Sequence, residues 1–313
     1  MELYQRKQLL EIVDSLSRDY LQGKYRAIRT ALICLLAGGH LLIEDLPGLG
    51  KTSLALALAG TLDLDFGRIQ CTSDLVPSDI TGLSIFDQKK NHFRFVRGPI
   101  FNNLLLVDEI NRTTPKTQSA MLEAMEEARV TVEGETYLLP DPFMVIATQN
   151  PLDQVGTFPL PEAQLDRFLL KTDIGYPPAA LEREIIRNGS ARDALTTIQP
   201  LLQPDKIRQT RQFIRDEIKL HNRVVDYIYQ LLDASRNEPR ILSGISTRGG
   251  LSLAAAAKVV AYLEGRDFVI PEDVQQVAPA VASHRILLNP EFQMLRKEEV
   301  LKSLLEKVAV PIA

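Results

Sequence analysis

Residues 104–109, Leu-Leu-Leu-Val-Asp-Glu, form a continuous apolar run closed by two acids, the pattern of a strand buried on both faces of a parallel sheet. Similar apolar runs lie at 40–43, 68–71, 143–148 and 169–174. Between them the apolar positions change to helical spacing. Leu9, Leu10, Ile12, Val13 and Leu16 share one helix face within 3–22, and Gly23 ends it. A second helix is predicted over 25–36, closed by Gly38-Gly39, and a helix-forming stretch follows from 54. Another, over 116–128, opens on Thr114-Pro115, where Thr suits the N-cap and Pro the first helical position. Two segments alternate in polarity and read as hairpins: 82–98, with a polar turn at 87–91 and Phe93 and Phe95 alternating with polar neighbours, and 129–139, with a turn at Glu133-Gly134-Glu135. Five short strands alternating with helices predict a three-layer α/β domain. Pro177-Pro178 ends it, and helical patterns follow at 179–187, 204–219, 221–237, 248–263, 271–283 and 297–308. The chain divides into an α/β core over 1–177 and an all-α domain over 178–313, with no internal repeat.

A length of 313 residues suits about two domains, in line with that division. Hydrophobic content of 45% with 24% charged residues is that of an ordinary globular protein rather than a disordered or fibrous one. A net charge of −4 supplies no overall attraction to nucleic acid or an anionic membrane, although it permits a local basic patch. Cys34 and Cys71 lie in apolar stretches without metal-ligand spacing, as expected of buried free thiols in a reducing cytosol. His40, His92, His221 and His284 form no cluster and receive no catalytic role. The first residues lack the apolar core of a signal peptide, and the most apolar stretch, 31–43, is interrupted by His40 and too short to span a bilayer. A cytoplasmic protein is expected, one that meets a membrane only through a partner.

Candidate chemistry concentrates after the first strand. Residues 42–53 read Leu-Ile-Glu-Asp-Leu-Pro-Gly-Leu-Gly-Lys-Thr-Ser: a strand, a Gly-rich turn and a helix start. Gly48 and Gly50 let backbone N–H groups approach an oxyanion, and the helix start adds a positive dipole end. Asp45, Pro47, Gly48, Leu49, Gly50, Lys51, Thr52 and Ser53 together form a candidate P-loop. Lys51 can reach the β- and γ-phosphates of ATP, and Thr52 can offer its hydroxyl to Mg²⁺. The P-loop template places Gly where this chain has Asp45. A small polar residue tolerates left-handed backbone angles, so the loop can still close. Its carboxylate is unfavourable near phosphates unless it points away or meets a cation. A strand-to-helix turn that binds nothing is the alternative.

Asp108 and Glu109 stand at the C-terminal end of the most buried strand, the edge where open α/β sheets bind ligands. Asp108 is placed to hold Mg²⁺, directly or through water, and Glu109 to orient and deprotonate the attacking water. Asn150 closes another buried strand and can hold that water; a turn residue before Pro151 is the alternative. Arg167, after 160–166, can meet charge on a γ-phosphate or pair with Asp166 or Glu162. Arg248 lies in a first helical turn, where a cation opposes the helix dipole, so it meets an anion there or a local carboxylate.

Taken together these residues resemble an AAA+ ATPase of the MoxR family, over nearly the whole chain. The resemblance rests on Thr-Ser-Asp-Leu-Val-Pro-Ser-Asp-Ile-Thr-Gly at 72–82, Gly-Pro-Ile-Phe at 98–101, Val-Asp-Glu-Ile-Asn-Arg-Thr-Thr-Pro-Lys at 107–116 and on to Glu127, Ala-Thr-Gln-Asn-Pro at 147–151, and Phe-Pro-Leu-Pro-Glu-Ala-Gln-Leu-Asp-Arg-Phe at 158–168. It implies a P-loop AAA+ core with a five-stranded parallel sheet and an all-α lid. Lys51 and Thr52 would fall on Walker A, Asp108 and Glu109 on Walker B, Asn150 on sensor 1, Arg167 on the arginine finger and Arg248 on sensor 2. It further implies a ring, usually a hexamer, whose finger serves the neighbouring subunit, with Arg248 acting either in cis or in trans. The hairpins match the helix-2 insert and the pre-sensor-1 hairpin. MoxR-like ATPases are thought to remodel or mature client proteins, often ones with a von Willebrand factor A domain, sometimes with metal or cofactor insertion.

Three alternatives accompany this reading. Related motors with the same hairpins translocate DNA. The 82–98 hairpin carries Lys89, Lys90, Arg94 and Arg97 against Asp87, net +3, but 123–141 carries six acids against Arg129, net −5, which repels phosphates. No nucleic acid is therefore expected. A non-hydrolysing switch is disfavoured by the intact Asp108-Glu109 pair and Arg167. A chelatase-like motor subunit is a near neighbour of the leading reading.

Overall fold

The computed structural model describes residues 2–89, 91–152, 156–189, 195 and 197–311; Lys90, one of the basic hairpin residues named above, lies outside them. In the core, α1 (Glu2–Ser15) and α2 (Tyr25–Leu36) lead into β1 (Leu41–Glu44), α3 (Lys51–Thr61) and β2 (Phe66–Gln70). A short α4 (Pro77–Thr81) precedes the β3 (Gly82–Asp87) and β4 (His92–Arg97) hairpin. Then follow β5 (Leu104–Asp108), α5 (Pro115–Glu127), the β6 (Arg129–Val132) and β7 (Glu135–Leu138) hairpin, β8 (Met144–Gln149), α6 (Glu162–Leu165) and β9 (Leu170–Thr172).

The 5-stranded sheet runs β2-β5-β8-β1-β9, and every pairing is parallel. β5 is buried at every position and β8 at all but its last, as continuous apolar runs demand. Alternate residues face two cores. Leu104 and Leu106 pack with Met144, Ile146 and the helices α1–α3 on one side; Leu105 and Val107 pack with Val145, Ala147, Met121 and Met125 on the other. The three layers and five strands are those the sequence pattern predicts.

Helices dominate beyond Pro178: α7 (Ala179–Asn188), α8 (Pro204–Glu217), α9 (Asn222–Asn237), α10 (Thr247–Leu263), α11 (Pro271–Ala282) and α12 (Lys297–Lys307). One correction applies to the all-α expectation. Ile241–Ser243 (β10) and Leu287–Leu288 (β11) form a small antiparallel ladder, too short to leave an alternating pattern in the sequence. A second concerns the first helix, which ends at Ser15 and continues as a π-turn over Leu16–Tyr20. The apolar core of α1–α3 is continuous with that of α8, α10 and α11. No helix among the described residues is long and apolar enough to cross a membrane. Cys34 and Cys71 are buried free thiols, and burial pushes the Cys71 thiol up to about 12.

Candidate functional site

The loop after β1 is held from beneath. β1 lies between β8 and β9, so its end is fixed in register, and the Asp45 N–H donates to the Gln149 carbonyl at 3.1 Å. Gly48 and Gly50 take φ of +82° and +97°, a region that Cβ-bearing residues avoid, and nothing lies within 4 Å of where their Cβ atoms would stand. The loop therefore presents an open backbone concavity at the N-terminus of α3, suited to a polyphosphate. Lys51 opens that helix, with Thr52 and Ser53 in its first turn. The Lys51 ammonium donates to the Asp45 carbonyl and, at 3.4 Å, to the Gln149 carbonyl. Burial lowers its pKa, while Asp45, Asp108, Glu109 and Glu44 oppose that fall. Lys51 and the acidic pair thus share one electrostatic neighbourhood. Both oxygens of the Asp45 carboxylate are taken by backbone: Oδ1 accepts the Leu46 N–H at 2.8 Å, and Oδ2 accepts those of Ile174 and Gly175 at 2.8 and 2.7 Å.

Asp108 ends β5 almost fully buried, paired with Arg68 Nε at 2.8 Å and accepting the Thr148 hydroxyl at 3.3 Å. Glu109 adopts left-handed backbone angles, φ 57° and ψ 52°, which are costly for a residue with a side chain and gather at functional sites. Its N–H donates to Thr148 Oγ1 at 2.9 Å, and its carboxylate pairs with Arg112 at 3.0 Å and accepts from Gln70 at 3.4 Å. Arg68 and Gln70 were not singled out in the sequence, since only the folded sheet brings β2 beside β5; Arg112, three residues after Glu109, was passed over as well. Asn150 is buried just past β8, the strand between those carrying the loop and the acids, and its Oδ1 accepts the Leu152 N–H at 3.1 Å.

Arg167 and Arg248 lie elsewhere. β9 runs parallel to β1, and the Leu169 N–H donates to the His40 carbonyl at 2.9 Å, so Arg167 sits at the N-terminal edge of the sheet. The loop lies at the opposite edge, a full strand away at about 3.3 Å per residue. Both arginines converge on Glu126 of α5: Arg167 Nε at 3.2 Å from one oxygen, Arg248 Nη2 at 2.7 Å from the other. Arg167 thus pairs with a carboxylate other than Asp166 or Glu162, the local partners named as the alternative, and Asp166 pairs with Arg285. A cavity of about 200 Å³ opens there, lined by His40, Glu126, Arg167, Arg248, Ser252 and Arg285.

The residue that orders this edge is Arg285, which the sequence reading missed. Its side chain is 2% exposed, yet it donates to Asp166 Oδ1 at 2.7 Å, the Phe168 carbonyl at 2.7 Å, the Leu169 carbonyl at 3.1 Å and Ser252 Oγ at 3.1 Å. Ser246, the N-cap of α10, donates to the other Asp166 oxygen at 3.0 Å and accepts the Gly249 N–H. The segment carrying Arg167 and the helix carrying Arg248 are thereby tied together. One lone cation within the apolar run 277–288 was the available signal.

His40, beneath this cavity, is structural. Its Nδ1 accepts the Val145 N–H at 2.9 Å and its Nε2 lies 3.0 Å from the Met125 carbonyl, the geometry of a neutral ring donating from Nε2. Burial pushes its pKa from 6.5 to about 4. Between those values the unfolded chain takes up a proton that the folded one refuses. Stability is therefore full above pH 6.5 and falls as the pH drops toward 4, by up to about 3 kcal/mol for this ring. Burial shifts His284 the same way, so the two losses add. The urea midpoint is expected to fall from pH 7 to pH 4.5, and to fall less in His40→Gln; an equal fall in both would contradict this assignment.

The sheet order, the glycine-lined loop before a helix and the acidic strand end define a P-loop nucleotide-binding fold with a helical lid. The model of the family described as "ATPase family associated with various cellular activities (AAA)" matches residues 40–170, and that of the "AAA lid domain" matches 233–304. The chain is 40% identical to Chaperone MoxR1 of Mycobacterium tuberculosis, over 92% of this chain and 79% of that one. It is 43% identical to the uncharacterized protein YeaC of Bacillus subtilis, over 93% of this chain and 91% of that one. The crystal structure of a candidate ATPase from Cytophaga hutchinsonii superposes with a TM-score of 0.91 at 38% identity, covering 99% of this chain and 97% of the other. The chain belongs to the MoxR family of AAA+ ATPases.

Proposed function

We propose that the chain hydrolyses ATP as a subunit of a homo-oligomeric ring, a hexamer, and uses that cycle to remodel or mature a client protein. The observation that carries this reading is the separation of the loop from the Arg167 and Arg248 pair by the length of a strand. Each chain offers a nucleotide half-site at one edge and an arginine pair at the other. A neighbour's arginines then complete each site, which makes both Arg167 and Arg248 trans-acting. Lys51 and the loop N–H groups hold the phosphates, Glu109 orients the attacking water and accepts its proton, and Asn150 helps position that water. Thr52 and Asp108 supply a hydroxyl and a carboxylate, the hard oxygen donors that magnesium prefers, and Asp108 already faces a cation in Arg68. Mg²⁺ bound there would neutralise charge on the phosphates.

The client in this reading is a protein with a von Willebrand factor A domain, with metal or cofactor insertion as one form of maturation. Nucleic acid is not the substrate, because the hairpin β6–β7 and its flanks are acidic. Cytoplasmic location follows from the same reading, with membranes reached only through the client. The test is Glu109→Gln. Phosphate release should fall by at least about a hundredfold while ATP binding is kept. The same variant, held with ATP, should retain the client in an ATP-dependent manner. Wild-type-like turnover in Glu109→Gln would overturn the catalytic assignment. Nucleic acid retained in place of a protein would overturn the client assignment.

A further inference from the structure

We propose that Asp45, the residue at which this P-loop departs from its template, is a positioning residue that couples the phosphate-binding loop to the hinge of the helical lid. This rests on the ATPase reading above and deepens it. Both carboxylate oxygens are engaged by backbone N–H groups: Oδ1 accepts that of Leu46 in the loop, while Oδ2 accepts those of both Ile174 and Gly175. Those two residues lie between β9, the last core strand, and α7, the first helix beyond the Pro177-Pro178 boundary. Gly175 takes φ +70°, and its carbonyl accepts the ammonium of Lys24, itself only 8% exposed. The preceding Gly23 faces Pro178 so closely that a Cβ there would stand 2.6 Å from the proline ring. Loop, N-terminal turn and hinge are thus tied at one point.

The same residue meets the chemistry through its other end. The Asp45 carbonyl accepts the Lys51 ammonium. When Lys51 turns to bound phosphates, that contact is exchanged, and the shift in the Asp45 backbone reaches residues 174–175 through the carboxylate. Charge-assisted bonds from two consecutive N–H groups are strong and directional enough to pass that shift on rather than absorb it. A glycine here would close the loop equally well and transmit nothing.

The decisive variants are Asp45→Asn and Lys24→Met in the full chain. An asparagine is nearly isosteric, but its amide nitrogen opposes either the Leu46 N–H or those of Ile174 and Gly175. Dyes on Glu123→Cys in α5 and Glu299→Cys in α12, exposed sites on the core and on the lid, report lid movement by energy transfer. The wild type should change transfer on adding a non-hydrolysable ATP analogue. Asp45→Asn should lose that change and lower kcat about tenfold, with KM for ATP moving less than about threefold. Lys24→Met, acting from the other side of Gly175, should reproduce the loss of transfer change. The double variant should be no worse than the poorer single one, as expected for one shared coupling. A normal transfer change in either single variant, or none in the wild type, overturns the proposal. If Asp45→Asn fails to fold, Lys24→Met alone decides. Absence of any wild-type turnover would instead count against the ATPase reading, because the transfer change is read without hydrolysis.

Discussion

Arg167→Ala should lower ATP turnover of the assembled protein at least about a hundredfold, and Arg248→Ala should lower it by a smaller factor, while the isolated chain binds ATP as before. The size follows from chemistry: phosphoryl transfer offers little for a protein to do beyond placing charge against the γ-phosphate, and a guanidinium supplied by a neighbour contributes several orders of magnitude. The insensitivity of binding follows from topology. Arg167 stands before β9, which runs parallel to β1, whereas the loop follows β1, so its side chain lies a strand's length from its own loop; Arg248 is held beside it on Glu126. In the isolated chain both rest on Glu126, a partly exposed pairing of the kind that contributes little to stability. Replacing either arginine should therefore leave the unfolding midpoint almost unmoved. A loss of ATP affinity in the isolated Arg248→Ala chain would show that it acts in cis.

Arg285→Met should behave in the opposite way and cost roughly 3–5 kcal/mol of stability. The guanidinium is buried, and burial, joined by the charge of Arg248, depresses its pKa; the Asp166 carboxylate opposes that fall. Removing it leaves that carboxylate without its main counter-charge and strips donors from the Phe168 and Leu169 carbonyls. Arg285→Lys should recover only part of the loss, because an ammonium lacks the planar fork that reaches Asp166, the carbonyls and Ser252 at once. Urea unfolding measures this directly. A loss below about 1 kcal/mol would mean that the network is slack and that the two arginine-bearing segments are not tied together.

These two residues illustrate what could be read from the chain. Arg167 drew attention because the stretch at 158–168 resembles a family motif that ends on an arginine, and Asp108 because a wholly apolar strand ends on it. The parallel sheet was legible for the same reason: β5 and β8 are buried on both faces, so their sequences contain almost nothing but apolar residues. Arg285 and Glu126 were not legible, since each acquires its meaning from a partner more than a hundred residues away or from another layer of the fold. Asp45 was noticed as a departure, but its target at 174–175 emerges only when β9 returns beside β1. The β10–β11 ladder escaped notice because Leu287–Leu288 is two residues long, less than one period of alternation can reveal.

The central claim is that one catalytic site is built from two chains, and mixing two dead proteins tests it most directly. Lys51→Ala keeps its arginines and loses its loop; Arg167→Ala keeps its loop and loses its finger. Neither alone should turn over ATP. Co-expressed as mixed rings in equal amounts, they should recover about a quarter of the wild-type rate, since half the loops are intact and half of their neighbours carry the finger. A mixed ring no more active than the two separate variants would contradict the composite site.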